Sequence, residues 1–258
     1  FNIAPREITH GETITDVNGN YEIPFIAAPD NSIDSSNLPT FNFEVTADVT
    51  DINGETRSTT THVAVGYHSL NVTLQVQEFF DKTKKDNKIN IASTNLNGEF
   101  AATTGKVTLY KLQAPDHVLR PRPWAAPDYS GFTKKEFKEL YPHDAFKNEN
   151  DPSHWEKEKV IWSSNFNTAE SKEIAFGKTK NWKSGKYRLE LSAKDKFGQL
   201  VKDVAIITFS GEENVLADNR LFQVKTDKHQ YEIGDTAKVK EGTLSLNISS
   251  GFSGSINR

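Results

Sequence analysis

The densest group of acid–base and metal-binding residue types in the sequence is His143, Asp144, Glu149, Asp151 and His154. Imidazole and carboxylate side chains act as proton donors, proton acceptors and zinc ligands in enzymes. These five residues follow a predicted helix in a polar stretch, and their spacing matches no zinc motif. The pattern favours solvated loop residues or helix-end pairing over a metal or catalytic site. We therefore predict no catalytic, metal-binding or cofactor-binding residues.

A second candidate is the stretch Asp16-Val-Asn-Gly-Asn20, which has oxygen-bearing side chains at the first, third and fifth places of a calcium loop. Such a loop needs Gly at its sixth place and Glu at its twelfth, where this chain has Tyr21 and Ala27. Asn followed by Gly is typical of tight β-hairpin turns. The stretch is therefore predicted to be a hairpin turn.

Aromatic and basic residues offer two further possibilities for ligand binding. Arg120, Arg122 and Trp124 could form a basic–aromatic binding strip, but the prolines among them favour a strap packed on its own domain. Three other tryptophans could form a sugar-stacking face: Trp155, Trp162 and Trp182. Because they are spread over loops and strands, core or domain-contact positions are favoured for them.

Composition excludes several classes of function. The 258 residues include 31 basic and 35 acidic side chains, a balance without the clustered basic face of nucleic-acid-binding proteins. No apolar run approaches the ~20 residues of a membrane-spanning helix. The chain contains no Cys, which excludes disulfides, thiolate zinc sites and a cysteine nucleophile within it.

The elements that must position these residues are organised around one pattern that occurs twice, at residues 43–66 and 187–209. Each copy opens with an aromatic residue, and every second residue after it is apolar, which indicates a strand with one buried face. The same turn residues follow in both copies: Asp51 and Gly54, then Asp195 and Gly198. Each copy is predicted to be a β-hairpin, and a hairpin needs a second sheet to bury its apolar face.

Further strands are predicted from alternation at residues 21–25, 70–76, 89–92, 105–112, 160–166, 171–176, 221–224 and 244–248. Pro24 suggests an edge strand at 21–25, and apolar residues on both faces suggest that 105–112 is central.

The alternation disappears from residue 113 to residue 159, where we predict an insert with one helix at about 133–141. A capping box, a hydrophobic staple and a terminating proline mark the helix: Thr133 with Glu136, Phe132 with Phe137, and Pro142.

We thus predict an all-β protein of tandem immunoglobulin-like β-sandwiches with one short helical insert. Residues 1–66 are expected to be a partial sandwich whose first strands lie before Phe1. Residues 67–210 are expected to be a complete sandwich with the insert at about 113–159. Residues 211–258 are expected to be a linker and the start of a third domain.

Five stretches together resemble the bacterial alpha-2-macroglobulin-like proteins, which are built from serial macroglobulin-like domains. The resemblance is closest to the versions found in Bacteroides-type bacteria. The stretches are residues 43–58, 120–128, 135–144, 185–198 and 231–239. They occur in the family's order, and the resemblance covers roughly residues 10–240. It implies sandwiches of the macroglobulin type and a location in the periplasm or cell envelope of a bacterium.

The resemblance also implies a function in trapping proteinases. In the family, a proteinase cleaves a bait segment, the molecule rearranges, and a Cys-x-Glu-Gln thioester can attach the proteinase covalently. Because this chain has no Cys, it departs from that pattern and would supply scaffold domains only. Its expected partners are other macroglobulin-like domains of the same parent chain and, through the parent, proteinases. The alternatives are a cell-surface adhesin or carbohydrate-binding module and, less favoured, an enzyme.

Overall fold

The computed structural model describes residues 7–30, 32–120, 131–211, 217–219, 222–226 and 231–243. The architecture is all-β, with several sheets and one α-helix in the described ranges. The strands are β1 (Thr40–Thr50), β2 (Thr56–Gly66), β3 (Asn71–Gln75), β4 (Phe79–Asp81), β5 (Lys88–Thr94), β6 (Thr104–Leu112), β7 (Lys157–Asn167), β8 (Glu173–Ala175), β9 (Gly185–Lys194), β10 (Leu200–Ser210), β11 (Phe222–Thr226) and β12 (Val239–Thr243). The helix α1 spans Lys134–Leu140, and short 3-10 turns span Ser35–Asn37, Pro152–His154 and Ala217–Asn219.

The chain divides into two compact units. The first comprises Phe1–Ser69 and Asn95–Glu99, and the second comprises Leu70–Thr94 and Phe100–Arg258. The division into three macroglobulin-like domains stays a prediction.

The first unit contains the first predicted hairpin. Strands β1 and β2 pair antiparallel over their whole length, with Phe43 opposite Val63. At the turn, the amide of Gly54 donates to the carbonyl of Asp51 over 3.0 Å, and Gly54 has a φ of 82°. Glycine adopts this conformation without a Cβ clash, which explains its place in the repeated pattern. No described residue between 7 and 66 is fully buried, so this hairpin has no core of its own.

The strand predicted at residues 21–25 is wrong. The preceding turn does form, with the amide of Asp16 donating to the carbonyl of Asn20 over 2.8 Å, but the described residues from 7 to 30 contain no strand. Two paired strands without a covering layer are only marginally stable. Pro24 has no amide hydrogen, so it cannot donate a hydrogen bond to strand pairing at this position.

The second unit contains a five-stranded sheet of order β4-β10-β9-β6-β7 and a three-stranded sheet of order β3-β5-β8. The second predicted hairpin, β9–β10, lies in the larger sheet, where β6 is central as predicted. Strand β4, which the sequence did not predict, pairs parallel with β10. Strands β11 and β12 pair antiparallel, and the strand predicted at 244–248 lies outside the described residues.

Buried side chains come from both sheets of the second unit, which is consistent with a β-sandwich. Val72, Leu74, Ile89 and Ile91 come from the smaller sheet, and Val107, Leu109, Leu189, Leu191, Ile207 and Phe209 come from the larger one. The Asp203 carboxylate on β10 also accepts a hydrogen bond from the amide of Leu74 on β3 over 2.7 Å. The two sheets therefore share one apolar interior, which includes alternate residues of the second predicted hairpin.

The predicted helix is confirmed between β6 and β7. Thr133 is its N-cap and forms a full capping box with Glu136, and the backbone ends its helical course at Tyr141. The rings of Phe132 and Phe137 both pack on Tyr141, at centroid distances of 6.2 and 5.2 Å. The insert closes at its base, where the amide of Gln113 donates to the carbonyl of Glu156 over 2.9 Å.

Candidate functional site

Of the five residues in the densest acid–base group, Asp151 and His154 form a local pair, and the other three bond to residues elsewhere in the insert. Asp151 caps the turn Pro152–His154 by accepting from the amide of Ser153, and its other carboxylate oxygen lies 3.0 Å from His154 Nδ1. His143 Nδ1 lies 3.3 Å from the carbonyl oxygen of Val118. Within the part of the chain that the structure describes, no three His, Cys, Asp or Glu side chains come together in a way that could hold a metal ion.

The Asp144 carboxylate forms a two-pronged ion pair with Arg120, through Nε to Oδ1 and through Nη2 to Oδ2 at 2.9 Å. The amide of Arg120 also donates to the carbonyl of His143 over 2.8 Å. These bonds tie the start of the proline-rich stretch to the loop after α1. Arg122 and Trp124, the other members of the basic–aromatic strip, lie outside the described residues.

Glu149 joins the helix to the rest of the insert. Its carboxylate lies 2.9 Å from Lys134 Nζ and 3.9 Å from Lys138 Nζ, and it accepts from the amide of Phe146 over 3.1 Å. Burial alone would raise the pKa of Glu149, but the Lys134 ammonium and the Phe146 amide outweigh it and hold that pKa below its ordinary value. The Glu149 carbonyl accepts from Trp155 Nε1 over 2.8 Å, so one residue connects α1 to the end of the insert before β7.

Two of the three candidate sugar-stacking tryptophans contribute to an aromatic cluster of the second unit. Trp162 lies 5.0 Å from Phe176 between ring centroids, and Trp182 lies 5.8 Å from Phe176 and 4.9 Å from Phe209. Edge-to-face contacts of this kind hold rings in place in protein interiors. The tryptophans thus take part in packing, as the favoured interpretation predicted.

The Asp16 stretch forms the predicted turn, but no strands flank it among the described residues 7–30, so the hairpin predicted there does not form. Asp16 Oδ1 accepts from the amides of Asn18 and Asn20, each over 2.8 Å. The amide of Asn20 is the main cause of a lowered Asp16 pKa. Asp51 accepts from the amides of Asn53 and Glu55 in the same way, so the carboxylate holds the turn in both places.

A buried ion pair in the second unit was not among the predicted features. Lys111 Nζ lies 3.0 Å from Asp218 Oδ1, and the two side chains are 7% and 5% exposed. The alternation of β6 placed Lys111 on the same face as Val107 and Leu109, and this was the available signal. A buried lysine needs an acceptor, because an unpaired charge is costly to bury.

The insert also exposes an apolar surface, which we call the insert face. It consists of Phe132 and Tyr141, whose ring centroids lie 6.2 Å apart, and of Leu140, which precedes Tyr141 in the chain. Their exposed fractions are 41%, 42% and 59%. Exposed apolar residues that are grouped in this way are typical of protein-contact surfaces.

Comparison with known proteins identified no relative of this chain. No family model matches the chain, and neither a curated protein nor a solved structure matches it. Among the described residues, no helix is long and apolar enough to cross a membrane.

Proposed function

We propose that this chain supplies scaffold domains of an alpha-2-macroglobulin-like, broad-spectrum endopeptidase inhibitor of the bacterial cell envelope. The parent protein would trap a proteinase sterically, so that small substrates still reach its active site and large ones do not. The resemblance of the five sequence stretches motivates this proposal. The braced insert within an all-β unit is the structural observation that supports it best.

The braces make the insert suitable as a spacer between domains. Glu149 contacts Lys134 on α1 and Trp155 near the end of the insert, and Arg120 contacts Asp144 across the loop after α1. Each of these charged groups has a partner inside the insert. Among the described residues of the insert, the exposed apolar insert face suits a neighbouring protein domain better than a small polar substrate.

The acid–base residue types support a structural role as well. Asp151 pairs with His154 Nδ1, His154 Nε2 lies 3.4 Å from Asn148 Nδ2, and Asp144 is engaged by Arg120. A general base must instead direct its free oxygen or nitrogen at a substrate proton. The arrangement therefore favours a protein that acts by contact over one that acts by catalysis.

The test uses the longer protein that we propose contains this chain. It is incubated with trypsin and with elastase, and residual proteinase activity is measured on a small peptide and on a large protein. Compaction is followed by small-angle scattering in the same samples. Peptide activity that survives while protein digestion falls, together with compaction, is the expected result.

A variant of the insert face tests whether this surface contributes to trapping. Leu140→Asp introduces a charge into the exposed surface and leaves the braces around Glu149 in place. We expect it to weaken trapping while the variant remains folded by circular dichroism. Complete digestion of the parent, with no protection of the bound proteinase, would refute the proposal.

A further inference from the structure

The end of the larger sheet of the second unit contains a small polar pocket. Its walls are the Lys111 side chain at the end of β6 and the backbone of Gly185 and Lys186 at the start of β9. Gly185 has a φ of 132°, and a Cβ there would overlap Asp218 Oδ1 and lie 2.7 Å from Lys111 Nζ. The missing side chain of Gly185 therefore creates the space that Asp218 occupies.

The pocket engages both oxygens of the Asp218 carboxylate. Oδ1 lies 3.0 Å from Lys111 Nζ, and Oδ2 accepts from the amide of Lys186 over 2.6 Å. Lys111 Nζ also donates to the carbonyls of Leu112 and Lys186, over 2.8 and 3.2 Å. An ammonium group has three hydrogens, so these two carbonyls and the carboxylate satisfy it completely.

The ion pair is buried next to an aromatic ring. Lys111 Nζ lies 5.4 Å from the ring centroid of Tyr187, whose hydroxyl donates to the carbonyl of Lys183 over 2.6 Å. Burial, followed by the nearby charge of Asp218, raises the pKa of Tyr187 well above its ordinary value. An ion pair in such surroundings is screened much less by salt than a surface pair.

The segment that carries the carboxylate has an unfavourable backbone. Asp218 and Asn219 have φ values of 59° and 49°, in the left-handed region that non-glycine residues seldom adopt. Such conformations persist where surrounding contacts hold them. The contacts here are the carboxylate in the pocket and the side-chain amide of Asn219, which donates to the carbonyl of Pro115 over 2.7 Å.

We propose that this pocket is a carboxylate-binding site whose ligand, within the same chain, is Asp218. The bound carboxylate holds the segment Ala217–Asn219 against the ends of β6 and β9. When Asp218 is removed, a free carboxylate of similar size takes its place. This inference goes beyond the proposed function and does not depend on it.

Chemical rescue tests the proposal on the full chain with the variant Asp218→Gly. Glycine accepts the left-handed backbone without strain, so the main change in the folded state is the missing carboxylate. We expect the unfolding midpoint to fall by roughly 10 °C, because Lys111 is left buried without its counter-charge. Formate at about 100 mM should restore at least half of that loss, since a ligand of the folded state stabilises it by mass action.

Four controls separate the pocket from general salt effects. Sodium chloride at the same ionic strength should not restore the midpoint, and formate should leave the wild type within about 1 °C. The double variant Lys111→Met and Asp218→Gly should show no response to formate. Glu173→Gln removes a carboxylate from an exposed pair with Lys88 and should shift the midpoint by less than about 2 °C.

A second measurement keeps the test decisive if Asp218→Gly does not fold. Asp218→Asn keeps the size of the side chain, and its amide cannot serve as acceptor at both oxygen positions. We expect exchange of the Lys186 amide hydrogen to become at least tenfold faster in this variant than in the wild type. An unchanged midpoint or exchange rate, or a rescue by chloride equal to that by formate, would overturn the proposal.

Discussion

Phe209 offers the sharpest test of the architecture of the second unit, because its ring is fully buried and touches four others. The partners and centroid distances are Trp182 at 4.9 Å, Phe80 at 5.2 Å, and Phe176 and Tyr187 at 5.3 Å each. Truncation of a buried phenylalanine to alanine costs about 3–5 kcal/mol, from lost burial and from the cavity that remains. Because the ring has no exposed part and four aromatic neighbours, we expect Phe209→Ala to cost about 4–5 kcal/mol.

The cost is measurable by urea unfolding followed by circular dichroism and tryptophan fluorescence. In thermal unfolding it corresponds to a midpoint lowered by roughly 10–20 °C for a domain of this size. The matched control is Phe197→Ala at the tip of the β9–β10 turn, where the side chain is 77% exposed. That change should stay within about 0.5 kcal/mol of the wild type. Equal effects of the two substitutions would refute the assignment of the aromatic cluster to the core.

Three further outcomes are expected from the second unit. Gly105→Ala should destabilise the chain by more than about 2 kcal/mol in urea unfolding, since its Cβ would overlap the carbonyl oxygen of Ser192. Thr133→Ala should cost about 1 kcal/mol and speed amide hydrogen exchange in α1, because the N-cap bond is lost. Glu149→Gln should be less stable than the wild type at pH 7. Burial raises the pKa of Glu149 on folding, but other contacts, mainly that with Lys134, outweigh burial and lower this pKa, so the ionised carboxylate stabilises the folded state. That difference should shrink as the pH falls below the ordinary value of 4.5 and through the lower folded pKa, and a constant difference would contradict the assigned ion pair.

The repeated hairpins were predictable because their determinants are local. In each, an aspartate side chain accepts from the amide four residues later, as Asp51 does from Glu55 and Asp195 from Gln199. A glycine with positive φ completes each turn. Strand periodicity and turn chemistry then agree over a short stretch, which is the condition under which sequence specifies structure most directly. The capping box of α1 was predictable for the same reason, since Thr133 and Glu136 are three residues apart.

The pairing partners of the acid–base residues could be predicted only where the two residues are close in sequence. The pairing of Asp151 with His154 is local and follows from their spacing on one turn. The pairing of Asp144 with Arg120 spans 24 residues, and the sequence offered no reason to prefer this arginine over another cation. The sequence left solvated loop residues and helix-end pairing both open, and it could not say which partners the residues would have.

Lys111 also has a partner that is distant in sequence, although its own position implied that a partner exists. It stood in the predicted pattern of β6 on the face of two apolar residues, and a lysine on a core face requires a buried acceptor. The partner is 107 residues away, one of 35 acidic residues in the chain, and it reaches the lysine because Gly185 leaves room for it. A charged residue at a core position of a strand thus predicts a distant counter-charge, and a glycine at the end of the neighbouring strand indicates where it enters. The rescue of Asp218→Gly by formate would test this reasoning in the same measurement that tests the pocket.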